Sequence, residues 1–368
     1  MIAVGGGIAG SVAARFCAES GLTTLLLEKA KTPRNKPCSG IQFPYLQKLV
    51  GQRIPADVLC RNELSRVVMV TPRGRVFRGR MAMLNFWRST FDNWLNEVAV
   101  SAGATFQDET KLVDINGEGQ SITLRLQGAE GENIVQARYV IGADGMNSTV
   151  RRKLRPDDFG PGPSGVAMNY YYSGEGDLDP SALYMFYSLE FSPLMFAWVY
   201  KKDELWVVGT GSDREPMEYV QRFDSFVKEK YGLRGELVRR EGFSSPMEST
   251  VYLGAGRVLM VGDAAGLVDM YRGLGMDNAA LSGRLAARAI VESARKGSDP
   301  VDCYRRLMSG IVRTITRNSS RQSARYTSNE TLERSLSLPA IMRDGLLMLS
   351  VSQINRVLPA ERTIFLPL

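Results

Sequence analysis

The sequence predicts an α/β fold in which a Rossmann-like domain carries an inserted antiparallel-sheet lobe and is followed by a C-terminal helical segment. A glycine-rich turn at residues 5–10 follows an apolar strand and precedes a helical pattern. Two later apolar strands end in turns that contain glycine and aspartate, at residues 142–145 and 262–266. Between these segments lie stretches with period-two alternation, which indicates an antiparallel sheet, whereas continuous apolar strands are typical of a buried parallel sheet.

Composition excludes several classes of protein. The 368 residues are 44% hydrophobic and 23% charged, which is typical of a globular chain of about two domains. The chain has no histidine, so Ser-His-Asp catalysis and histidine metal sites are excluded. None of the four cysteines forms a Cys-x-x-Cys pair, so we expect no metal site and a reduced, cytoplasmic protein. We see neither a transmembrane run nor a signal-peptide pattern.

Positive charge is concentrated near the C-terminus. Residues 284–368 contain 14 basic and 7 acidic residues, which accounts for the whole formal charge of +7. These basic residues are spread among serine, threonine and leucine rather than alternating with aromatic residues as on a nucleic-acid surface, so we expect no nucleic-acid partner. An acidic partner or an anionic lipid surface fits this segment better.

The glycine-rich turn places Gly5, Gly7 and Gly10 at Gly-x-Gly-x-x-Gly spacing. In this motif the first glycine permits a tight turn, the second lets the backbone approach a pyrophosphate, and the third allows close packing of helix on strand. The helical pattern at Ser11–Ser20 would direct its N-terminus at the phosphates.

An acidic residue extends the motif. A buried-strand pattern at Thr23–Leu27 ends at Glu28, 18 residues after Gly10, where a carboxylate can accept hydrogen bonds from both ribose hydroxyls. Strand, turn, helix, strand and acid together predict a dinucleotide site. The alternative is a glycine-rich turn that binds nothing.

Two later strands carry further cofactor signals, although the first by itself could be any exit from a strand into a loop. Arg138–Gly145 runs into a Gly-Ala-Asp-Gly turn, and Val258–Ala265 brings Asp263 to the carboxyl end of an apolar strand. Ligands of α/β proteins bind at the carboxyl ends of parallel strands. Gly275 and Met276 follow and open a predicted helix.

These motifs, in this order, resemble FAD-dependent oxidoreductases of the para-hydroxybenzoate hydroxylase structural class and, within it, the geranylgeranyl reductase family. The resemblance spans roughly residues 1–290. Motifs that suggest the class, besides the first turn and Glu28, are Arg88–Asp92 with Leu95, Gly142–Gly145 and Gly262–Gly266. Motifs that suggest the family are Lys36–Gly40, Phe196–Tyr200 with Val208–Gly211, and Gly266–Met276.

Three positions depart from the family pattern. Lys201 and Met270 stand where the family has proline, and Leu274 stands where it has glutamate. These positions flank the expected flavin and substrate face. The resemblance therefore supports the prediction of cofactor binding more strongly than a prediction of which substrate is bound.

The resemblance implies FAD as the cofactor and indicates which residues would contact it. The pyrophosphate would lie on Gly5, Gly7, Ala9 and Gly10, the adenosine ribose on Glu28, the adenine on the backbone of Leu112, and a cation near the dinucleotide would come from Arg88. The flavin ring would meet the loop of Lys36, Cys38, Ser39 and Gly40 and the backbone amides near Gly275 and Met276. Asp263 would bind the ribityl or pyrophosphate side. Arg88 could instead be an ordinary surface arginine.

Cys38, Trp198 and Tyr200 are the catalytic candidates. Cys38 belongs to the loop that the family brings to the flavin, and its alternative is a small buried apolar side chain. Trp198 and Tyr200 alternate along a strand and therefore share a face, which is either the substrate cavity or a core between sheets. In a chain without histidine, the proton donor would be Cys38, Tyr200 or ordered water.

We expect three units in the chain. The FAD-binding domain would comprise residues 1–60, 83–151 and 251–296, the substrate lobe residues 61–82 and 152–250, and the C-terminal helical segment residues 297–368. Within that segment, the apolar stretch Pro339–Leu358 would cap the lobe or lie on a membrane.

The leading hypothesis for function is an FAD-dependent oxidoreductase that reduces carbon-carbon double bonds of a polyprenyl or other apolar substrate. Its electron donor would be NADPH or a ferredoxin-type protein that visits transiently, because the sequence shows no second dinucleotide motif. The first alternative is a flavin-dependent monooxygenase or halogenase on the same fold. The second is a flavin-binding electron carrier or sensor without catalysis.

Overall fold

The computed structural model describes residues 1–117, 121–159, 164–246, 250–273 and 275–363. The departure noted at Leu274 therefore lies outside the described residues. The strands are β1 Ile2–Val4, β2 Leu25–Leu27, β3 Ile41–Gln42, β4 Leu64–Val70, β5 Val76–Asn85, β6 Thr105–Gln107, β7 Lys111–Asn116, β8 Ile122–Gly128, β9 Gly131–Ala137, β10 Val140–Gly142, β11 Ser164–Glu175, β12 Ala182–Phe186, β13 Ala197–Lys202, β14 Leu205–Ser212, β15 Arg234–Pro246, β16 Gly254–Ala255 and β17 Val258–Met260. The helices are α1 Ile8–Glu19, α2 Leu46–Val50, α3 Arg88–Ser101, α4 Thr149–Leu154, α5 Pro216–Tyr231, α6 Met276–Lys296, α7 Pro300–Arg325, α8 Asn329–Ser335 and α9 Leu338–Val357.

A parallel sheet carries the glycine-rich turn. Its strand order is β16-β17-β10-β1-β2-β6, with only the β16 and β17 pair antiparallel. The central strands β1 and β10 are buried along their whole length, as expected for a sheet covered on both faces. Helices α1 and α6 pack so closely that a Cβ atom on Gly283 would lie 2.2 Å from the Ala9 carbonyl oxygen.

A second sheet forms the inserted lobe. Its order is β15-β11-β14-β13-β12-β4-β5-β3, and its pairs are antiparallel except that of β12 with β4. Strands β4 and β5 form a hairpin, in which the chain turns at Gly74 in a left-handed conformation with φ 77°.

The two faces of this sheet pack against different partners. Ala197, Val199 and Val208 lie in a core with Phe223 of α5. The opposite face carries Trp198, Tyr200, Tyr171 and Val207, and it packs on Ile41 of β3. Trp198 and Tyr200 therefore share a face, as the alternation predicts, and that face is directed at the segment that follows Lys36–Gly40.

A small antiparallel sheet, β7-β8-β9, and the C-terminal helices complete the described chain. Helix α7 packs on α6, and α8 contacts the β4–β5 hairpin through Glu333, which accepts hydrogen bonds from Arg73 and Arg75. None of the helices in the described ranges is both long enough and apolar enough to cross a membrane. The α/β fold with its inserted antiparallel sheet and helical C-terminal segment is confirmed; the domain limits stay a prediction.

Candidate active site

The glycine turn leaves the N-terminus of α1 open. Gly5 has φ 114°, and a Cβ atom there would lie 2.4 Å from the Ala143 carbonyl oxygen. A Cβ atom on Gly10 would lie 1.9 Å from the carbonyl oxygen of Gly5. Gly7 is the N-cap, and no side chain caps the helix. The first N–H groups of α1 are thus available to an anion such as a diphosphate.

Glu28 lies directly beside this turn. Its carboxylate is buried and accepts hydrogen bonds from the backbone N–H groups of Gly6 and Ala30 at 3.2 and 3.0 Å. Arg34 donates to the same carboxylate at 2.7 Å and lies 3.3 Å from Asp92. These contacts fix Glu28 at the end of β2, in the position expected of the ribose-binding acid.

Sequence analysis missed Arg34. A Cβ atom on Gly7 would lie 3.3 Å from a guanidinium nitrogen of Arg34, so this cation stands over the glycine turn. A guanidinium at that place suits phosphate oxygens. The only signal in the sequence is its position two residues before Lys36, which does not distinguish it from other arginines.

Arg88 is not a surface arginine. It is 6% exposed and forms a two-pronged pair with Asp92, both contacts at 2.8 Å. Burial opposes the charge, but Asp92 and the Cys38 thiol that Arg88 faces raise the pKa of the guanidinium above its ordinary value. The guanidinium therefore stays charged and directed at the Lys36–Gly40 loop.

The Lys36–Gly40 loop meets both later cofactor motifs. Lys36 donates to Asp263 at 2.8 Å. Burial would raise the pKa of the Asp263 carboxyl, but the Lys36 ammonium holds that pKa below its usual range. The Cys38 sulfur lies 3.9 Å from the sulfur of Met276. Chain segments far apart in sequence therefore converge at one loop.

The N-terminus of α6 lies at the same place. Gly275 is its N-cap, and no side chain caps it. A Cβ atom on Gly275 would lie 3.9 Å from an oxygen of Asp263. The open N–H groups beside Met276 suit a carbonyl that gains negative charge, which is the chemistry of a flavin being reduced.

A buried ionic network holds the turn before α6, and sequence analysis missed it. Arg272 lies between Asp269 and Asp277 at 2.7 and 2.9 Å, and all three side chains are almost fully buried. Tyr45 donates to Asp277, and Asn318 of α7 donates to Asp269. In the sequence, these three charged residues lie close together around the Gly266–Met276 motif.

The side chains of Trp198 and Tyr200 lie between the second sheet and the Lys36–Gly40 loop. The Trp198 indole N–H donates to Asn169 at 2.8 Å, and the Tyr200 hydroxyl lies 3.5 Å from the Ser39 carbonyl oxygen. Burial raises the pKa of the Tyr200 hydroxyl well above its ordinary value. The face is thus packed against the Cys38 loop.

Leu112 lies apart from the other predicted residues. It is buried in β7 and pairs with Leu126 of the small sheet. The chain just before β7 contacts the predicted ribose-binding residue, because the Thr110 N–H donates to the Glu28 carbonyl at 2.9 Å.

Comparisons with known proteins agree with this geometry. Residues 1–319 match the FAD binding domain family. Digeranylgeranylglycerophospholipid reductase 1 of Methanopyrus kandleri is 32% identical over 319 residues, which are 80% of this chain and 80% of that protein. The chain belongs to the geranylgeranyl reductase family of FAD-dependent oxidoreductases. Geranylgeranyl diphosphate reductase of Rhodobacter capsulatus is 30% identical over 81% of this chain and 76% of that protein.

A solved structure shares the fold of this geranylgeranyl reductase family member. The geranylgeranyl bacteriochlorophyll reductase-like protein from Thermoplasma acidophilum superposes with a TM-score of 0.83, at 23% identity, over 93% of this chain and 94% of that chain. The resemblance stated from the motifs is confirmed, as is FAD as the cofactor. The individual roles of the site residues stay predictions.

Proposed function

We propose that this protein reduces carbon-carbon double bonds of a polyprenyl substrate with FAD as its cofactor. The names of its relatives, which reduce geranylgeranyl diphosphate and digeranylgeranylglycerophospholipid, support the substrate class. The observation that carries the proposal is the convergence of the Lys36–Gly40 loop, Asp263 and the uncapped N-terminus of α6 at one place. The buried aromatic side chains of Trp198 and Tyr200 pack beside this loop, and apolar surroundings of this kind suit a prenyl chain.

Different residues would bind different parts of the cofactor. The uncapped N-terminus of α1 and Arg34 would hold the diphosphate, and Glu28 would hold the ribose. Asp263 and the N-terminus of α6 would hold the flavin end. Reduced FAD, when bound, supplies the hydride for the double bond.

Cys38 is the proton donor that the geometry favours. Tyr200 is fully buried and its hydroxyl faces the Ser39 carbonyl, so it reaches substrate less readily. Cys38 is partly exposed and lies between Arg88 and Met276. Its thiol can give a proton to the carbon that receives no hydride.

The electron donor would bind transiently. In the described part of the chain, one Gly-x-Gly-x-x-Gly turn follows a strand of the parallel sheet, and it serves FAD. We therefore propose NADPH or a ferredoxin-type protein as a visiting donor.

A peripheral membrane contact fits the C-terminal segment. Helix α9 exposes Leu338, Met342, Leu346 and Ile354, four residues apart or a multiple of it, together with Val357. These apolar side chains belong to the segment that carries the net positive charge. Apolar insertion with nearby arginines is how proteins bind anionic lipid surfaces.

One experiment separates the reductase from its alternatives. FAD-loaded protein is reduced with dithionite without oxygen and mixed with geranylgeranyl diphosphate. We expect the flavin to be reoxidised and the product to gain two hydrogens per reduced bond. Reoxidation only by oxygen, with oxygen incorporated into an added aromatic or prenyl compound, would establish the monooxygenase alternative. Reoxidation only by a protein acceptor would establish the electron carrier.

A further inference from the structure

Lys202 is a buried cation with an unusual set of partners. Its side chain is 1% exposed. The ammonium donates to the carbonyl oxygens of Ser39 and Phe86, each at 2.6 Å, and to the Asn85 amide oxygen at 3.3 Å. Among the described residues it takes part in no ion pair with a carboxylate. Burying an ammonium group costs free energy unless its N–H groups are hydrogen-bonded. The three acceptors therefore determine where the Lys202 ammonium lies.

The acceptors belong to two segments of the site. Ser39 is in the Lys36–Gly40 loop and follows Cys38 directly. Asn85 is the last residue of β5, and Phe86 follows it, two residues before α3 begins at Arg88. One lysine on β13 therefore joins the segment that carries Cys38 to the segment that carries Arg88.

The Lys36–Gly40 loop, Phe86 and the Lys202 ammonium meet in one junction, which is closely packed at Gly40. The φ of Gly40 is 61°, and a Cβ atom there would lie 1.9 Å from the Phe86 carbonyl oxygen and 2.7 Å from Nζ of Lys202. The Gly40 carbonyl in turn accepts from the N–H of Phe86 at 2.9 Å. Only glycine lets the loop pass between Phe86 and the ammonium.

The junction bears directly on a contact in the site. Arg88 faces the Cys38 thiol, and Cys38 lies 3.9 Å from Met276. The Lys202 ammonium holds both Ser39, which follows Cys38, and Phe86, which lies two residues before Arg88. Loss of that ammonium would free the two segments to separate.

We propose that Lys202 is a positioning residue, whose protonated side chain joins the Ser39 and Phe86 carbonyls and so holds Cys38 against Arg88. It lies outside the motifs that identified the site, and it acts through the loop rather than on substrate. The consequence for turnover rests on the proposed function; the consequence for the loop does not.

The charge of Lys202 responds to pH. Burial lowers the pKa of its ammonium to about 8. The titratable and charged groups that face it are Cys60, Cys38 and Asp203, which raise this pKa, and Arg239, which lowers it. The junction therefore carries a proton at neutral pH and loses it as the pH rises above about 8.

The test measures how fast iodoacetamide alkylates Cys38 in FAD-loaded protein, read by peptide mass spectrometry. At about pH 7 we expect labelling about tenfold faster in Lys202→Met than in wild type, the factor expected when one charge-assisted hydrogen bond is lost. Lys201→Met is the matched control, because Lys201 is adjacent on the strand and lies near Glu204 and Trp206 on the other face. It should label like wild type.

The pH dependence of Cys38 labelling distinguishes a role of the Lys202 charge from a role of its side-chain volume. The ratio of the Lys202→Met rate to the wild-type rate should fall at about pH 9.5, because wild-type Lys202 is then largely neutral and keeps only the weaker hydrogen bonds of an amine. A constant ratio, or equal rates at neutral pH, would overturn the proposal. Where Lys202→Met does not fold, Lys202→Gln replaces it, since it removes the charge but keeps N–H donors. Labelling needs no substrate, so the expected ratios would stand even if geranylgeranyl diphosphate were not reduced.

Discussion

Nζ of Lys36 lies 2.8 Å from Oδ2 of Asp263, although 227 residues separate them in the chain. This contact ties the loop after β2 to the short 3-10 helix after β17. Both strands belong to the parallel sheet, whose carboxyl ends meet at one edge. The contact places the Cys38 loop and the Asp263 turn on the same side of the cofactor site.

Glu28→Ala should weaken FAD binding. The Glu28 carboxylate is held by two backbone N–H groups and Arg34, so it is fixed for the ribose hydroxyls. Loss of that acceptor should raise the FAD dissociation constant by about tenfold or more, measured by flavin fluorescence titration. Glu19→Ala, at the exposed end of α1, is the control. Equal affinity in both variants would show that Glu28 does not contact the ribose.

Cys38→Ser should slow the reduction of geranylgeranyl diphosphate. Serine is nearly the same size but a far weaker acid, so single-turnover reoxidation of dithionite-reduced enzyme should slow by up to about 10²- to 10⁴-fold. Cys60→Ser is the matched control, since Cys60 is the other partly exposed cysteine. Identical rates and products for Cys38→Ser and wild type would leave Cys38 as a small packing residue.

Gly209→Ala should disturb the aromatic face. The added Cβ atom would lie 2.2 Å from the Trp198 indole nitrogen and 2.4 Å from the Asn169 side-chain oxygen. Such overpacking costs about 1–3 kcal/mol of unfolding free energy, measured by urea denaturation, and should raise KM for the prenyl substrate. Gly79→Ala in the same sheet meets no atom within 4 Å and should leave both unchanged. A Gly209→Ala protein as stable as wild type would contradict the packing described for Trp198.

Arg272→Met should strongly destabilise the protein. It would leave Asp269 and Asp277 buried without their cation, and breaking a buried pair in this way costs about 3–5 kcal/mol. The free energy of unfolding in urea is the measurement. Arg288→Met removes an exposed pair with Glu292 and should change stability by less than about 1 kcal/mol. Similar values for the two variants would show that the network contributes little.

Local patterns were enough to predict the fold. The turn at Gly5–Gly10, the acid Glu28 and the apolar strands depend on residues close together in sequence, because strand and helix periods and glycine turns are local properties. The pairing of β12 with β4 in the second sheet joins segments far apart in the chain, so it has no such local signal.

The sequence by itself determined the parallel sheet, the FAD turn and the family, because each depends on short motifs in a given order. Only the tertiary structure decided which charges meet. Arg34 with Glu28, Arg272 with two aspartates, and Lys202 with Ser39 are choices among many possible partners. A buried charge must be paired or hydrogen-bonded, but one acceptor of Lys202, the Ser39 carbonyl, lies 163 residues away in the chain. Its identity is set by the packing of the second sheet on the loop, which no local pattern in the sequence encodes.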